Sequence, residues 1–479
     1  PATTEPWCDA AEQGVRVLQK TLHGKQREKD RYRYDPANKH SIIKRLEKAR
    51  ASCSDSATFW ATARHKSKFS APQQSLVLPR PGYETKVVTE PAEFLEVERD
   101  HITKHMAGTA SPWTMSPDNQ QHPIAPLNSA GRRYRRRLAK HGASASGVPV
   151  QFRGIFKHAK RLPMPAADRQ AAELIFTTPI PFARFEAYTA GKKKNRGPGK
   201  SEIRIDHICA APKGAREDIC SLLSIPYTTG LVYTSWNAEL INWIPKEEGN
   251  PDINKRRPIA LLEVMRKICM GVKKQEMFDI WIRNGFINPD NYAFLKGKST
   301  SLPILITKAM LEDSKFNKTE LHTMQVDLKR AYDMVPYYIK EMALRRLGLP
   351  EAGISLWCAF DTTRQLQVVT PHGLTEPIHP QCGAFAQGGE ESCMGFVSLM
   401  SWMSDYIDSK FKGGYRLPTG DGTSALVNKT LYCDDAAFNA SSKLEIQQII
   451  KQVGRFVEAV QMEINMDKTF YVSMYSPHH

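Results

Sequence analysis

Leu431-Tyr432-Cys433-Asp434-Asp435-Ala436 sets two adjacent carboxylates between apolar and β-prone residues. A short β-hairpin with two acids at its tip has this pattern. Alone, an Asp-Asp turn is an ordinary surface feature. A third acid changes its meaning. Far upstream, in Thr323-Met324-Gln325-Val326-Asp327, an apolar strand ends at Asp327. Three carboxylates brought together by two strands make a hard-oxygen site for two Mg²⁺ ions. Two such ions, roughly 3.5–4 Å apart, serve in-line nucleotidyl transfer.

Composition agrees with a polyanionic partner. Lys and Arg number 67 against 50 Asp and Glu, a net charge of +17; such an excess suits nucleic acid but also an ordinary solvated surface. At 479 residues the chain can hold several domains and a sizeable core. It opens on Pro1, not Met, which points to a piece of a longer product. Nine cysteines without a CxxC pair imply neither a disulfide framework nor a zinc module, and a reducing compartment is expected. No apolar run is long enough to cross a bilayer, so no membrane partner is expected.

In chain order, residues 1–70 read as helices and Pro72 to Pro81 as a Pro-rich linker. Pro91 to His105 predicts a helix with Phe94, Leu95 and Ile102 towards a core. Residues 107–170 read as basic loops. Within them Arg132, Arg133, Arg135, Arg136 and Arg137 flank Tyr134. That run admits three readings, a nucleic-acid clamp, a localisation signal or a disordered arm. Gly191 to Lys200 is a basic, glycine-bearing loop, open to phosphate approach or to a linker role.

Leu240 to Lys246 and Arg256 to Leu262 predict two strands joined by a polar tip, with Lys246 and Arg257 at its two bases. Such a hairpin can fold over a triphosphate, arginine gripping with two N–H groups and lysine as a point charge. Helices follow at Glu263–Asn284 and Leu302–Leu311. Between them Asn291 to Thr300 forms a basic loop that includes Lys298, with Ser299 or Thr300 as cap. Pro336 suits the first turn of a helix that Gly348 stops. Trp357 to Thr370 reads as strand and turn, Gly383 to Gly389 as a loop, and Glu390 to Ile407 as a long helix. After the acid hairpin, Ser441 or Ser442 caps a helix whose apolar residues, Ile446 to Val460, recur at three-and-four spacing. A strand from Phe470 to Met474 ends the pattern. The carboxy half is expected to be α+β, a mostly antiparallel sheet backed by helices.

The order of these motifs resembles that of a reverse transcriptase, most closely the non-LTR (LINE-type) retrotransposon enzymes. IPK ending at Lys246, RPIALL from Arg257, FLKGKST from Phe294, DLKRAYDMV from Asp327, GAFAQGGEES from Gly383, LYCDD from Leu431 and INMDKT from Ile464 carry it. The resemblance spans about residues 180–475. It implies a right-hand polymerase that copies an RNA template into DNA from a DNA primer and dNTPs. Residues 1–170 would be a mainly helical, basic N-terminal region, 171–322 fingers and 323–479 palm. The chain ends soon after Lys468, so a thumb is expected to be missing.

Carried over by position, Asp327, Asp434 and Asp435 would be the metal triad. Tyr332 would be the aromatic gate that rejects a 2′-hydroxyl. Gln387 and Gly388 would support the nascent base pair and the template. Lys246 and Arg257 would hold the triphosphate, and Lys468 would protonate the leaving pyrophosphate. Arg132, Arg133, Arg135, Arg136, Arg137 and Lys298 are the candidate nucleic-acid contacts. The resemblance implies a nuclear or cytoplasmic ribonucleoprotein setting. The sequence departs from the pattern at Cys433, where Ala is usual, at Arg256, where Tyr often stands, and at Glu390, where Pro is usual. An RNA-dependent RNA polymerase would place aspartate where Tyr332 stands and a Ser-Gly loop where Gln387-Gly388 stands. A non-catalytic RNA-binding scaffold would have lost the acids.

Overall fold

The computed structural model describes residues 76–78, 86–108, 129–142, 148, 150–194, 196–247, 252–419 and 423–475. The expected helices of residues 1–70 lie outside them. The described chain is mixed α+β, as the residue pattern predicts. Strand β1 (Leu76–Leu78) pairs antiparallel with β2 (Lys86–Val88), so part of the expected Pro-rich linker is strand.

The central sheet is four-stranded and wholly antiparallel. It uses β5 (Leu321–Val326), β10 (Lys429–Tyr432), β11 (Asp435–Ala440) and β12 (Phe470–Met474) in the order β10-β11-β5-β12. Helix Lys443–Ala459 lays Ile446, Ile449, Val453, Phe456 and Val457 on this sheet. Its start is capped as expected: the Ser442 hydroxyl accepts the Glu445 N–H at 3.3 Å. A second sheet, ordered β4-β3-β6-β7, is built on the predicted hairpin of β3 (Ala238–Pro245) and β4 (Arg256–Leu261). There β6 (Gln365–Thr370) joins β3 in parallel and β7 (Gly373–Leu374) closes the edge, while β8 (Tyr415–Pro418) and β9 (Ser424–Val427) pair antiparallel outside both sheets.

Helix Glu390–Lys410 ties two apolar cores together. Phe396, Leu399, Met400, Trp402 and Met403 pack with the central sheet. Met394 and Val397, on its other side, pack with the helical layer around helix Val264–Arg283. A helix apolar on both sides is buried on both sides, and this one fixes the two layers to each other.

Three local expectations are corrected. Helix Glu351–Thr362 occupies the front of the stretch expected as strand, which begins only at Gln365. Thr300 does stand at the N-terminal cap of helix Ser301–Asn317, but its side chain makes no capping bond. Residues expected as loops between 107 and 170 hold helices Ser129–His141, Arg153–Lys157 and Ala166–Thr177.

The arginine run lies on the first of these helices, where helical spacing separates its members. Arg135 is buried and pairs with Glu341 at 2.7 Å; Glu341 also pairs with Arg345 at 2.7 Å. Arg136 pairs with Glu351 at 2.7 Å. Arg135 therefore anchors its helix to helix Tyr337–Arg346 and is not a nucleic-acid contact. Arg133 and Arg137 face solvent, and Arg132 is half-buried. Removing one partner of a buried ion pair leaves an uncompensated charge. Glu341→Ala is predicted to destabilise the protein by about 3–5 kcal/mol, read as a lowered midpoint in chemical denaturation.

Candidate active site

Strand pairing brings the acids together. On β5, Val326 lies opposite Ala436 of β11. One step further along β5 is Asp327, and one step back along β11 is Asp435. On the other side of β5, Phe470 of β12 lies opposite Gln325, so Lys468 continues that register towards Asp327. The hairpin joining β10 to β11 turns through Cys433, whose φ of 56° is left-handed. Asp434 follows it.

These residues open on a cleft of about 960 Å³. Asp327, Asp434, Asp435, Lys468, Tyr332, Gln387, Gly388, Lys246 and Arg257 all line it. Lys298 and the arginine run do not. Lys298 is committed elsewhere: its ammonium donates to the backbone oxygens of Pro289 and Asn291, the latter at 3.1 Å, and sits 4.5 Å from the Tyr292 ring centre.

Asp327 is held by its surroundings. Its backbone N–H donates to Thr469 Oγ1 at 3.3 Å, and Asn465 Nδ2 donates to its Oδ2 at 2.7 Å. Burial pushes the Asp434 carboxyl up, and Asp435 and Asp327 add repulsion. Asp435 is likewise raised by burial and then by Asp327. Lys468 opposes both shifts. Lys246 is pushed down by burial, then by Lys468, Arg257 and Lys255. One wall of the cleft thus gathers negative charge and the other positive, and each wall repels itself. Excess negative oxygen donors of this kind suit a hard divalent cation. Among the described residues, no three acid, thiol or imidazole groups stand close enough to enclose an ion as placed. The three aspartates line the same cleft without closing on a common point.

Tyr332 stacks on Phe396, ring centres 4.6 Å apart and planes 10° apart, and meets Phe385 edge-on at 6.4 Å. Burial raises its phenol, and the neighbouring Cys433 thiol adds to that rise. The thiol itself is pushed up to about 12, chiefly by burial. Cys433, at a departure from the family pattern, therefore lies beside Tyr332.

Gly388 has φ 120°, and a Cβ there would stand 2.8 Å from the Ala260 backbone oxygen. Glycine alone lets this loop lie against β4, where the Ala260 N–H donates to the Gln387 backbone oxygen at 3.2 Å. The two glutamates after the loop are neutralised. Glu390 pairs with Lys192 and Lys274 at 2.5 and 3.0 Å, and buried Glu391 pairs with Arg266 at 3.0 Å. Arg256, the other departure, is buried and holds Glu98 through two bonds of 2.6 and 3.0 Å. Its neighbour Arg257 is exposed at the cleft, since alternate strand residues face opposite sides.

The cleft also takes in His105, Arg330, Asp333 and Asn465, which sequence reasoning missed, and Arg196 of the basic loop read as open to phosphate approach. Asp333 and Asn465 lie inside quoted motifs but carried no assigned role. His105 ends helix Pro91–His105, far from any motif, and only its place in the fold brings it here.

Residues 244–477 match the model of the family described as reverse transcriptase (RNA-dependent DNA polymerase). No curated protein sequence matches the chain. Among solved structures, it is similar to the apo telomerase of Candida tropicalis truncated from its C-terminal domain. That match has 14% identity and a TM-score of 0.36, and covers 56% of this chain and 56% of that one. It is also similar to the Candida tropicalis telomerase in complex with a fragment of telomeric RNA, at 14% identity and a TM-score of 0.36, over 50% of this chain and 41% of that one. The Candida albicans telomerase in the corresponding complex matches at 12% identity and a TM-score of 0.34, over 49% and 41%. The chain thus spans about half the length of the solved structures it matches. Residues 244–477, just under half of the chain, are thus similar to the reverse transcriptase family model, and this stretch contains all nine motif-derived residues of the cleft.

Proposed function

We propose that this protein is an RNA-directed DNA polymerase of the non-LTR retrotransposon type, adding dNTPs to a DNA primer on an RNA template, in the nucleus. The observation that carries the reading is the meeting of nine residues from six separate motifs in one cleft. Residues 171–322 act as fingers and 323–479 as palm, with helix Pro91–His105 in contact with both through Trp243 and Asp333.

Asp327, Asp434 and Asp435 would hold two Mg²⁺ ions once their side chains rotate towards each other. Bound there, such ions would activate the primer 3′-hydroxyl and neutralise charge on the triphosphate. The chain's own groups do the rest. Lys246 and Arg257 draw the triphosphate to the positive wall, Arg257 through two N–H groups and Lys246 as a point charge. Lys468, at the junction of the two walls, donates a proton to the departing pyrophosphate. Tyr332, braced by Phe396, presents its ring to the sugar and leaves no space for a 2′-hydroxyl.

Asp434→Asn is predicted to abolish divalent-metal-dependent extension of oligo(dT) on poly(A). An undiminished rate in that variant would remove Asp434 from the metal site, whereas no extension by the wild type would favour the RNA-binding scaffold reading. Tyr332→Ala is expected to raise ribonucleotide incorporation in primer extension by about ten-fold or more, the discrimination of a lost steric clash; unchanged sugar selection would remove the gate.

The acid cluster also has a pH signature. The folded Asp434 pKa lies above its ordinary 3.8. The folded state therefore holds that proton more tightly than the unfolded state, and the ionised carboxylate opposes folding above the raised pKa. That opposition fades as pH falls through the raised value towards 3.8. In chelator, Asp434→Asn should therefore melt higher than wild type at neutral pH. The gain should vanish under acid.

A further inference from the structure

The cleft contains one buried acid that the proposed chemistry does not use. Asp333 is 4% exposed. Its Oδ2 lies 3.0 Å from His105 Nε2 and accepts Gln387 Nε2 at 3.3 Å. One carboxylate oxygen thus joins the end of an N-terminal helix to the side chain expected beneath the nascent base pair.

The helix is seated for this contact at its middle and at its C-terminal end. At its middle, Glu98 pairs with Arg256 of β4 in a buried, two-bond contact. His101 and His105 pack on Trp243 of β3, ring centres 5.1 and 5.8 Å away. At its end, the His105 backbone oxygen accepts Arg330 Nη1 at 2.9 Å. The Met106 oxygen accepts the N–H groups of Gln381 and Cys382, both at 3.2 Å. These last two bonds stitch the helix end to the strand of chain that leads into Gln387. The Cys382 sulfur completes the frame, donating to the Asp333 backbone oxygen at 2.9 Å.

We propose that His105 is a positioning residue for nucleotide insertion: its Nε2–H holds Asp333, and Asp333 holds the Gln387 amide. With its N–H₂ group turned to Asp333, the Gln387 amide oxygen is directed away from that carboxylate, and its rotamer is settled before substrate arrives. A carboxylate accepting two donors at one oxygen fixes both more tightly than neutral partners would. Preset orientation of a contact group raises the rate because no ordering remains to be done at insertion. The working polymerase therefore includes residues 91–108, which lie well before the segment matched as reverse transcriptase. This rests on the reading of Gln387-Gly388 as the loop beneath the nascent base pair.

The test is single-nucleotide insertion on an RNA template, with the full chain carrying His105→Ala, His105→Gln, Gln387→Ala, or His105→Ala with Gln387→Ala. His105→Ala is expected to lower kcat/KM for the correct dNTP by about ten-fold, the scale of one lost hydrogen bond to a charged group, and to raise misinsertion. His105→Gln, which keeps a side-chain N–H donor, should restore most of the loss. On the Gln387→Ala background, His105→Ala should add about two-fold or less, because the two act through one chain of contacts. Wild-type insertion by His105→Ala, or its full effect persisting without Gln387, would overturn the proposal while leaving the polymerase reading intact. Wild-type kinetics in Gln387→Ala would instead refute the assigned role of that loop, and the positioning role with it. Loss in both His105 variants together with a matching drop in melting temperature would reduce His105 to a structural residue.

Discussion

The register between β5 and β11 is the constraint on which the site depends. Because Val326 faces Ala436, the next residue outward on each strand is an aspartate. A slip of one residue would send every side chain of a strand to the opposite face. The apolar positions prevent it: Val326 and Ala436 are buried, as are Phe438 and Ala440 further along β11. Hydrophobic burial beneath the sheet thereby sets the placement of charge at its end. The acids repel one another, and the energy that holds them together comes from the core below them.

A second constraint ties the layers. Helix Glu390–Lys410 is buried on both sides and begins directly after the Gln387-Gly388 loop. Arg266 joins Glu391 at the start of that helix to Glu239 of β3, and Arg364 joins the same Glu239 at 2.7 Å. Buried charges are costly unless paired, so each of these contacts accepts one arrangement of hairpin, loop and helix and rejects others. The N-terminal helix makes the same kind of contact from outside through Glu98 and Arg256. The β3–β4 hairpin, helix Glu390–Lys410 and helix Pro91–His105 are in this sense joined by specific ion pairs as well as by apolar area.

Much of the cleft was legible in the residues. Alternation and turn chemistry predicted the two hairpins, and both are present. Three-and-four spacing predicted the capped helix after the acid hairpin. The nine site residues taken from the motifs share one cleft. The basic residues were less legible. Local composition cannot separate an arginine in solvent from one paired inside the protein, and Arg135 and Arg136 found partners on other helices. Lys298 likewise turned inwards, towards carbonyls of its own loop. Trp357 to Thr362 looked like strand because it is apolar and β-prone, but it packs as a buried helix, a choice that tertiary contact makes.

What the sequence determined by itself is the set of elements and the chemistry they carry: paired acids at a turn, a third acid at a strand end, and cations at the bases of a hairpin. These follow from local periodicity and residue type, which act over a few positions. The tertiary structure decided which of these groups meet. It turned Arg135 into an anchor, set Cys433 against Tyr332, and brought His105 to Asp333 across 228 positions of chain. Such contacts leave no local trace, because they depend on sheet register and on the packing of distant helices, both set by burial over the whole fold.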